Sequence, residues 1–431
     1  MDINIIIPFV LLILFFCLGI PISFSLGVAG IVGILLETGN LNALYMMTGL
    51  VTYNSVANYV LTTIPMFILM AFLSAEGGLA NDLFEAASNW FSNFRGGVGI
   101  ATVFACGVFG AMSGVTSATA SVMSQIAVPN MRRLGYSDVL IGGVIGVGST
   151  LDLLIPPSIA FVVYGLITNT SIGKMLIAGV MPGIILGIIL IIIISIWVHI
   201  RPQDAPDTYE VSWPARLKSL NKVWGSLFLI FMVAFLLYSG IATPTEVGAL
   251  GAFIAGVIGF ATRRLTIRRA IRACKQTLQV SGMIFMIIIG GMLFGYFITQ
   301  SGIPERIINF VTVLNLNRWV VMWGIIMSYF ILSMFMDELP LMLIYLQLTF
   351  PLVIELNFDP IWYGIITGFM IMMGLVFPPV GVLAFIVSGV GKIDLVKVYT
   401  GTSILIIAIF ITTILCMIFP QIILWLPSTM R

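Results

Sequence analysis

Charge is scarce in this chain. Asp, Glu, Lys and Arg make up 8% of its 431 residues against 60% hydrophobic ones, and mean hydropathy is +1.15. That balance excludes a soluble globule and requires an all-α polytopic membrane protein. Histidine is confined to His199, beside Arg201 at the end of an apolar run, which excludes a histidine-based cluster and marks a boundary residue. The four cysteines, Cys17, Cys106, Cys274 and Cys416, lack metal or redox spacing and read as packing residues. No GxxxxGK[ST] run is present and the linkers are too short for a nucleotide-binding domain, which disfavours an ATP-driven pump. GxGD and HExxH are absent too. An intramembrane enzyme, for which Asp152 and Asp337 would be the carboxylate pair, is therefore a remote alternative, and no enzymatic activity, organic cofactor or nucleic-acid partner is expected. The start at Asp2 lacks a basic leader, so the first apolar segment reads as a permanent span.

What the chain does have is a proline pair inside a membrane-length apolar segment, twice: GSTLDLLIPPS at 148–158 and MMGLVFPPVG at 372–381. Proline deletes a backbone donor and clashes with the preceding turn, so the helix must break there. In hydrocarbon a broken helix is tolerated where the freed groups are buried in protein or line a watery cavity, so each break is a candidate ligand site.

In chain order, spans are expected at about 3–18 and 20–36, then a polar loop at 37–54 and a third span at 55–74. Residues 76–95 place Leu79, Leu83, Phe84, Ala87, Trp90, Phe91 and Phe94 at helical spacing among polar ones, an amphipathic interfacial helix. Two apolar arms around SGVTSATAS, about 96–131, form either two spans or a re-entrant hairpin; Arg95, Arg132 and Arg133 bracket them and favour a hairpin with both ends cytoplasmic. A broken helix at about 138–169 and a crossing at 174–199 close a first repeat, 1–200. A cytoplasmic linker, 201–222, carries Pro202, Pro206 and Pro214. The second repeat, 223–431, has spans at 223–238 and 244–262, a basic segment at 262–275 and a span at 277–299. An interfacial helix at 304–314, a hairpin at about 318–357, a broken helix at about 359–388 and a span at 398–425 complete it.

The halves align without a gap at an offset of 222: Gln125 with Gln347, Pro129 with Pro351, Gly142 with Gly364, Pro156-Pro157 with Pro378-Pro379. This is an internal repeat. Each half has five spans, one of them broken at Pro-Pro, plus one re-entrant hairpin, and an odd number of crossings turns the second half upside down. Inverted-topology repeats are therefore expected. With both termini outside, fifteen of the nineteen Lys and Arg fall in cytoplasmic loops, leaving Lys174, Arg306, Arg318 and Arg431 outside.

The chemistry is expected where hairpin tips meet helix breaks. The first tip offers Ser113, Thr116, Ser117 and Thr119, and the first break Gly148, Ser149, Thr150 and Asp152. Hydroxyls, unwound carbonyls and a carboxylate are the ligands a small alkali cation needs, while half-helix N-termini present N–H groups to an anion. The second tip places Asp337 and Glu338 before Pro340. A charge at mid-membrane costs roughly 2.5 to 3.5 kcal/mol on insertion scales, so such a residue has a task. Asp337 is the leading candidate, and Glu338 is placed nearer the rim. Some of the hydroxyls can instead bond the carbonyl one turn back. Glu246, after Pro244, reads as a helix cap.

The order SGVTSAT, LLIPPS, a second hairpin with Asp337, then GLVFPPVG resembles, over the whole chain, the large membrane subunit of tripartite ATP-independent periplasmic (TRAP) transporters. The resemblance implies sodium-coupled, elevator-type uptake of an organic acid such as a C4-dicarboxylate or a sialic acid. It implies a small four-helix membrane subunit and a periplasmic binding protein as partners, in a bacterial inner membrane. Family ion sites fall on Ser113, Gly114, Ser117, Thr119, Gly148, Ser149, Thr150, Asp152, Asp337, Gly374, Phe377 and Pro378. Thr116, Ser117, Pro156, Pro157, Pro379 and Val380 are the expected substrate contacts. Phe377 stands where the family often has threonine, and Asp152 where it usually has a small residue. A stand-alone sodium/carboxylate symporter is the alternative.

Overall fold

The computed structural model describes residues 3–206, 211–314 and 316–430. Asp2 and Arg431, used above for the two ends, and residues 207–210 of the linker lie outside them. The described residues contain helices only, and seven helical stretches are long and apolar enough to cross a membrane.

Helices α1 (Ile3–Cys17) and α2 (Ile22–Thr38) are parted at Gly19 and Pro21. The expected loop at 37–54 is instead a helix, α3 (Leu41–Val56), because the Asn40 side chain accepts from the Asn42 and Ala43 amides and caps it. It buries little beyond Ser55 and leaves Leu41, Tyr45, Met46, Leu50 and Tyr53 exposed, so it has no core-facing stripe by which to read it. A 3-10 turn (Tyr59–Thr62) leads into α4 (Thr63–Glu76), later than the expected start. The amphipathic helix is α5 (Leu79–Phe91); it buries Leu79, Leu83, Phe84 and Ala87 against the protein itself.

The first arms are α6 (Gly97–Ser113) and α7 (Thr116–Arg133), turned at Gly114, whose φ of +65° is the left-handed conformation that glycine adopts without strain. The first broken helix is α8 (Asp138–Thr150), a 3-10 turn (Leu151–Leu153) and α9 (Ile159–Thr168), followed by α10 (Ile172–Ala178) and α11 (Val180–Ile200). The expected linker is partly helical: α12 (Trp213–Ser239) starts inside it, with Pro214 in its first turn, where the missing N–H costs nothing. In α13 (Pro244–Ala261), Thr243 and Glu246 form a capping box, so Glu246 is a cap.

The basic segment and the following span are one helix, α14 (Ile267–Gln300); no proline or glycine divides Arg268, Arg269 and Arg272 from the apolar run. Then come α15 (Ile303–Val313), α16 (Arg318–Ser333), α17 (Glu338–Glu355), α18 (Pro360–Val376), α19 (Val382–Gly391), α20 (Leu395–Ile418) and α21 (Gln421–Ser428). The last expected span is split at Pro420, which begins a new turn. Cys106 and Cys416 are packing residues, whereas Cys17 and Cys274 are exposed on outward helix faces.

Helix bounds keep the 222-residue offset: α7 and α17 match at both ends, and α2 and α13 start in register. The halves interlock. Helix α2 packs along α14 and α13 along α4, while α7 packs on α19 and α17 on α9, so each hairpin's second arm rests on the other half's broken helix.

Candidate functional site at the hairpin tips

Each tip is tied to its own break by one backbone hydrogen bond. Ile159 N–H donates to Gly114 O at 3.2 Å, and Gly381 N–H donates to Met334 O at 2.9 Å. The donors are 222 positions apart. Both proline pairs, Pro156-Pro157 and Pro378-Pro379, are joined by cis peptide bonds.

At the first break Asp152 is 1% exposed; its Oδ2 accepts from Thr119 Oγ1 at 2.7 Å and its Oδ1 has no partner. Gly110 is what admits it: a Cβ there would lie 2.9 Å from both Cα and Cβ of Asp152. Ser149 and Thr150 donate to Ile145 O and Val147 O on their own helix, each at 2.7 Å, which spends their protons and leaves the oxygen lone pairs. Gly148 lies against Cys106 and Val103. Ser113 donates to Val115 O at 3.2 Å and closes the tip. Pro156 and Pro157 are buried.

At the second tip Asp337 caps α17, its Oδ1 accepting from Glu338 N–H at 2.9 Å, and it is half-buried. Glu338, placed nearer the rim by sequence, is the more buried of the two at 5% exposed. As the first residue of α17 it points across to the other tip, where Thr116 Oγ1 donates to its carboxylate, 2.8 and 3.0 Å from the two oxygens. Thr116 is the first residue of α7, so the contact joins equivalent positions of the two halves.

The second break is built differently. Three of its carbonyls accept from side chains of α20: Val376 O from Thr402 at 2.9 Å, and Val380 O from Tyr399 at 2.6 Å, with Pro379 O at 3.2 Å from the same hydroxyl. Gly374 packs on Ser333, and the Phe377 ring stands 5.5 Å from that of Phe330. Phe377 and Pro378 are half-buried, and Pro379 is exposed.

A cavity of about 950 Å³ opens beside the tips. Of the residues singled out from sequence it brings together Ser113, Ser117, Asp337 and Glu338; Thr119 and Asp152 lie behind its wall, and Pro156, Pro157, Pro379 and Val380 are not in its lining. Sequence reasoning missed Ser121, Gln125, Gln276, Arg269 and Arg272, which line it as well. For the first two a signal existed: Ser117, Ser121 and Gln125 recur every fourth residue on an apolar helix, which puts them on one face.

Ion pairs join the first half to the linker and the second half, the last of them within the cavity lining. Arg264 pairs with Asp82, Lys222 with Glu85 at 2.8 Å, and Arg272 with Glu76 at 3.5 Å. Burial pushes the Asp82 carboxyl above its ordinary value, against the opposing pull of the Arg264 guanidinium.

Residues 9–422 match the family described as "Tripartite ATP-independent periplasmic transporter, DctM component". The chain is 34% identical over 335 residues to the C4-dicarboxylate TRAP transporter large permease protein DctM of Pseudomonas aeruginosa, covering 77% of this chain and 78% of that one. It is 29% identical over 416 residues to the ectoine TRAP transporter large permease protein TeaC of Halomonas elongata, and 27% identical over 414 residues to the sialic acid large permease protein SiaM of Vibrio cholerae, with 95% of each chain covered in both cases. Among solved structures, the Alcanivorax borkumensis YdaH transporter superposes with a TM-score of 0.65 over 98% of each chain at 12% identity, a likeness of fold alone.

Proposed function

This chain belongs to the DctM family, the large permease component of tripartite ATP-independent periplasmic transporters, and from that premise we propose that it carries out sodium-coupled, elevator-type uptake of a carboxylate-bearing organic solute. It is a multi-pass membrane transport protein and not an enzyme. The observation that carries the reading is the meeting of the two tips at Thr116 and Glu338, beside one cavity large enough for an organic solute. In this reading the halves are inverted, and α6–α9 with α16–α19 move as a unit, since each tip is bonded to its own break. Asp152 with Thr119 on one side and Asp337 on the other hold the coupling sodium, and Ser117 faces the solute.

With both termini outside, Arg269 and Arg272 are cytoplasmic, so the cavity they line is open inward. Relatives named for C4-dicarboxylates, sialic acid and ectoine define the solute class. The chain has no capture domain among its described residues, so flux requires a small four-helix membrane subunit and a periplasmic binding protein. Proteoliposomes containing all three components, given labelled acids and an inward sodium gradient, should accumulate one of them. Robust uptake by this polypeptide alone would favour a lone carrier, and proton-driven, sodium-independent uptake would overturn the coupling ion.

A further inference from the structure

Charge is distributed unevenly along the cavity. The lining follows α14 from Arg269 to Ile287, and α14 meets α17 just beyond, where Gly291 faces Leu343. At 1.5 Å per residue the two arginines therefore stand roughly 22 to 27 Å along α14 from the carboxylate end. They are also engaged, Arg272 by Glu76 at 3.5 Å and Arg269 by the Arg264 carbonyl at 3.0 Å. Among the described residues no Lys, Arg or His lines the end formed by the hairpin tips.

The acceptors at that end are underused. Glu338 is 5% exposed and is served by the Thr116 hydroxyl at 2.8 Å. An ionised carboxylate accepts at about four positions, so most of that capacity stays open. Asp337 uses Oδ1 on the Glu338 amide. Behind the wall, Oδ1 of the 1% exposed Asp152 is buried without a partner. With all three carboxylates ionised, the N-termini of α7 and α17, each about half a positive charge, offset one charge and the coupling sodium a second, which leaves one negative charge unbalanced. Buried acceptors of this kind call for a donor or a cation. Asp152 is walled off and suits a small ion, whereas Glu338 faces a space sized for an organic solute.

We propose that the tip end of the cavity binds a cationic nitrogen of the solute, an ammonium or amidinium group, and that Glu338 selects it. The solute is then a zwitterion, carrying its carboxylate elsewhere, and not a simple dicarboxylate. This rests on the reading of the chain as an organic-acid permease.

The test uses the detergent-purified full chain and two probes of equal carbon number, succinate and 4-aminobutyrate, which differ by one carboxylate replaced with an aminomethyl group, –CH2NH3+. Bound ligand raises the melting temperature, and the concentration for half-maximal protection reports affinity. In the wild type 4-aminobutyrate should protect at about one-tenth the concentration of succinate or less, a ratio worth one decade of affinity. Glu338→Gln should bring the ratio to about one. Thr116→Val, which removes the hydroxyl but keeps the charge, should retain the preference, and so separates charge recognition from tip packing. Equal protection by both probes, protection by succinate alone, or protection by neither overturns the inference, as does a Glu338→Gln protein that keeps the preference. The wild-type comparison decides even if that variant does not fold. Sodium-driven uptake of succinate with the partner subunits, without a preference for the ammonium probe, would sink this inference and leave the transport reading standing.

Discussion

Gly110→Ala isolates the contact on which the proposed sodium site at Asp152 rests. The new methyl would sit 2.9 Å from Cα and Cβ of Asp152 and 3.3 Å from its Cγ, where ordinary contact begins at 3.4 Å. Asp152 must therefore retreat by about half an ångström, and the atoms pressed are main-chain and Cβ atoms that no rotamer change can relieve. Overpacking of this kind costs about 1–3 kcal/mol. The retreat also stretches the 2.7 Å bond from Thr119, and hydrogen bonds to charged groups are worth about 1.5–3 kcal/mol. If half of such a bond is lost at the ion site, sodium affinity falls by roughly tenfold, since about 1.4 kcal/mol is one decade. The assays are melting in detergent and uptake by proteoliposomes as a function of sodium. Gly187→Ala on α11 and Gly324→Ala on α16, with nothing within 4 Å of the added methyl, are the controls and should stay within about 0.5 kcal/mol of wild type. A Gly110→Ala protein with unchanged melting and unchanged sodium dependence would refute the reasoning, as would equal damage from the controls.

Asp337→Asn keeps the shape of the cap but removes the charge, and should raise the sodium concentration for half-maximal uptake, with rescue at high sodium because occupancy follows concentration; wild-type sodium dependence would remove Asp337 from the site. In a background freed of the exposed Cys17 and Cys274, a cysteine at Arg133 should be labelled only from the cytoplasm and one at Glu355, 222 positions on and also exposed, only from outside; labelling from one face would sink the inversion. The Asp82 carboxyl is raised above its ordinary value of 3.8 in the folded protein, chiefly by burial. A raised folded value stabilises below the unfolded one and the benefit is lost as pH rises through it, so the melting temperature of wild type relative to Asp82→Asn should fall on going up from pH 4 and then level off. A difference that grows with pH would show that the Arg264 pairing outweighs burial.

The broken helices were legible because proline leaves a mark that tertiary context does not erase: both pairs sit at breaks, and α17 begins 222 residues after α7. Helix α3 was not legible, since a single Asn40 cap starts it and its apolar side chains face outward without a core stripe. The basic start of α14 read as a loop because charge was taken as a boundary, although arginine is a good helix former. At the site, residue types were readable but their partners were not. Ser149 and Thr150 donate their protons to their own helix, which orients the hydroxyl oxygens in a way no sequence pattern shows. Glu338 and Asp337 are neighbours, and one residue of helical rotation, about 100°, decides which one turns toward Thr116.

That contact bears on how such a chain can have arisen. Thr116 and Glu338 hold the same place in the two halves and touch, so under the proposed inversion a two-fold relation between the halves runs through them. In a dimer of identical halves the residue there would meet its own copy, as any residue on a symmetry axis does. Threonine against threonine is harmless, but two glutamates would set carboxylates together that cannot both ionise unless a proton or cation lies between them. An acid facing a hydroxyl at the centre is thus open only to a fused gene whose copies mutate separately. Fusion supplies what symmetry forbids, a binding cavity with a single acid at its midpoint.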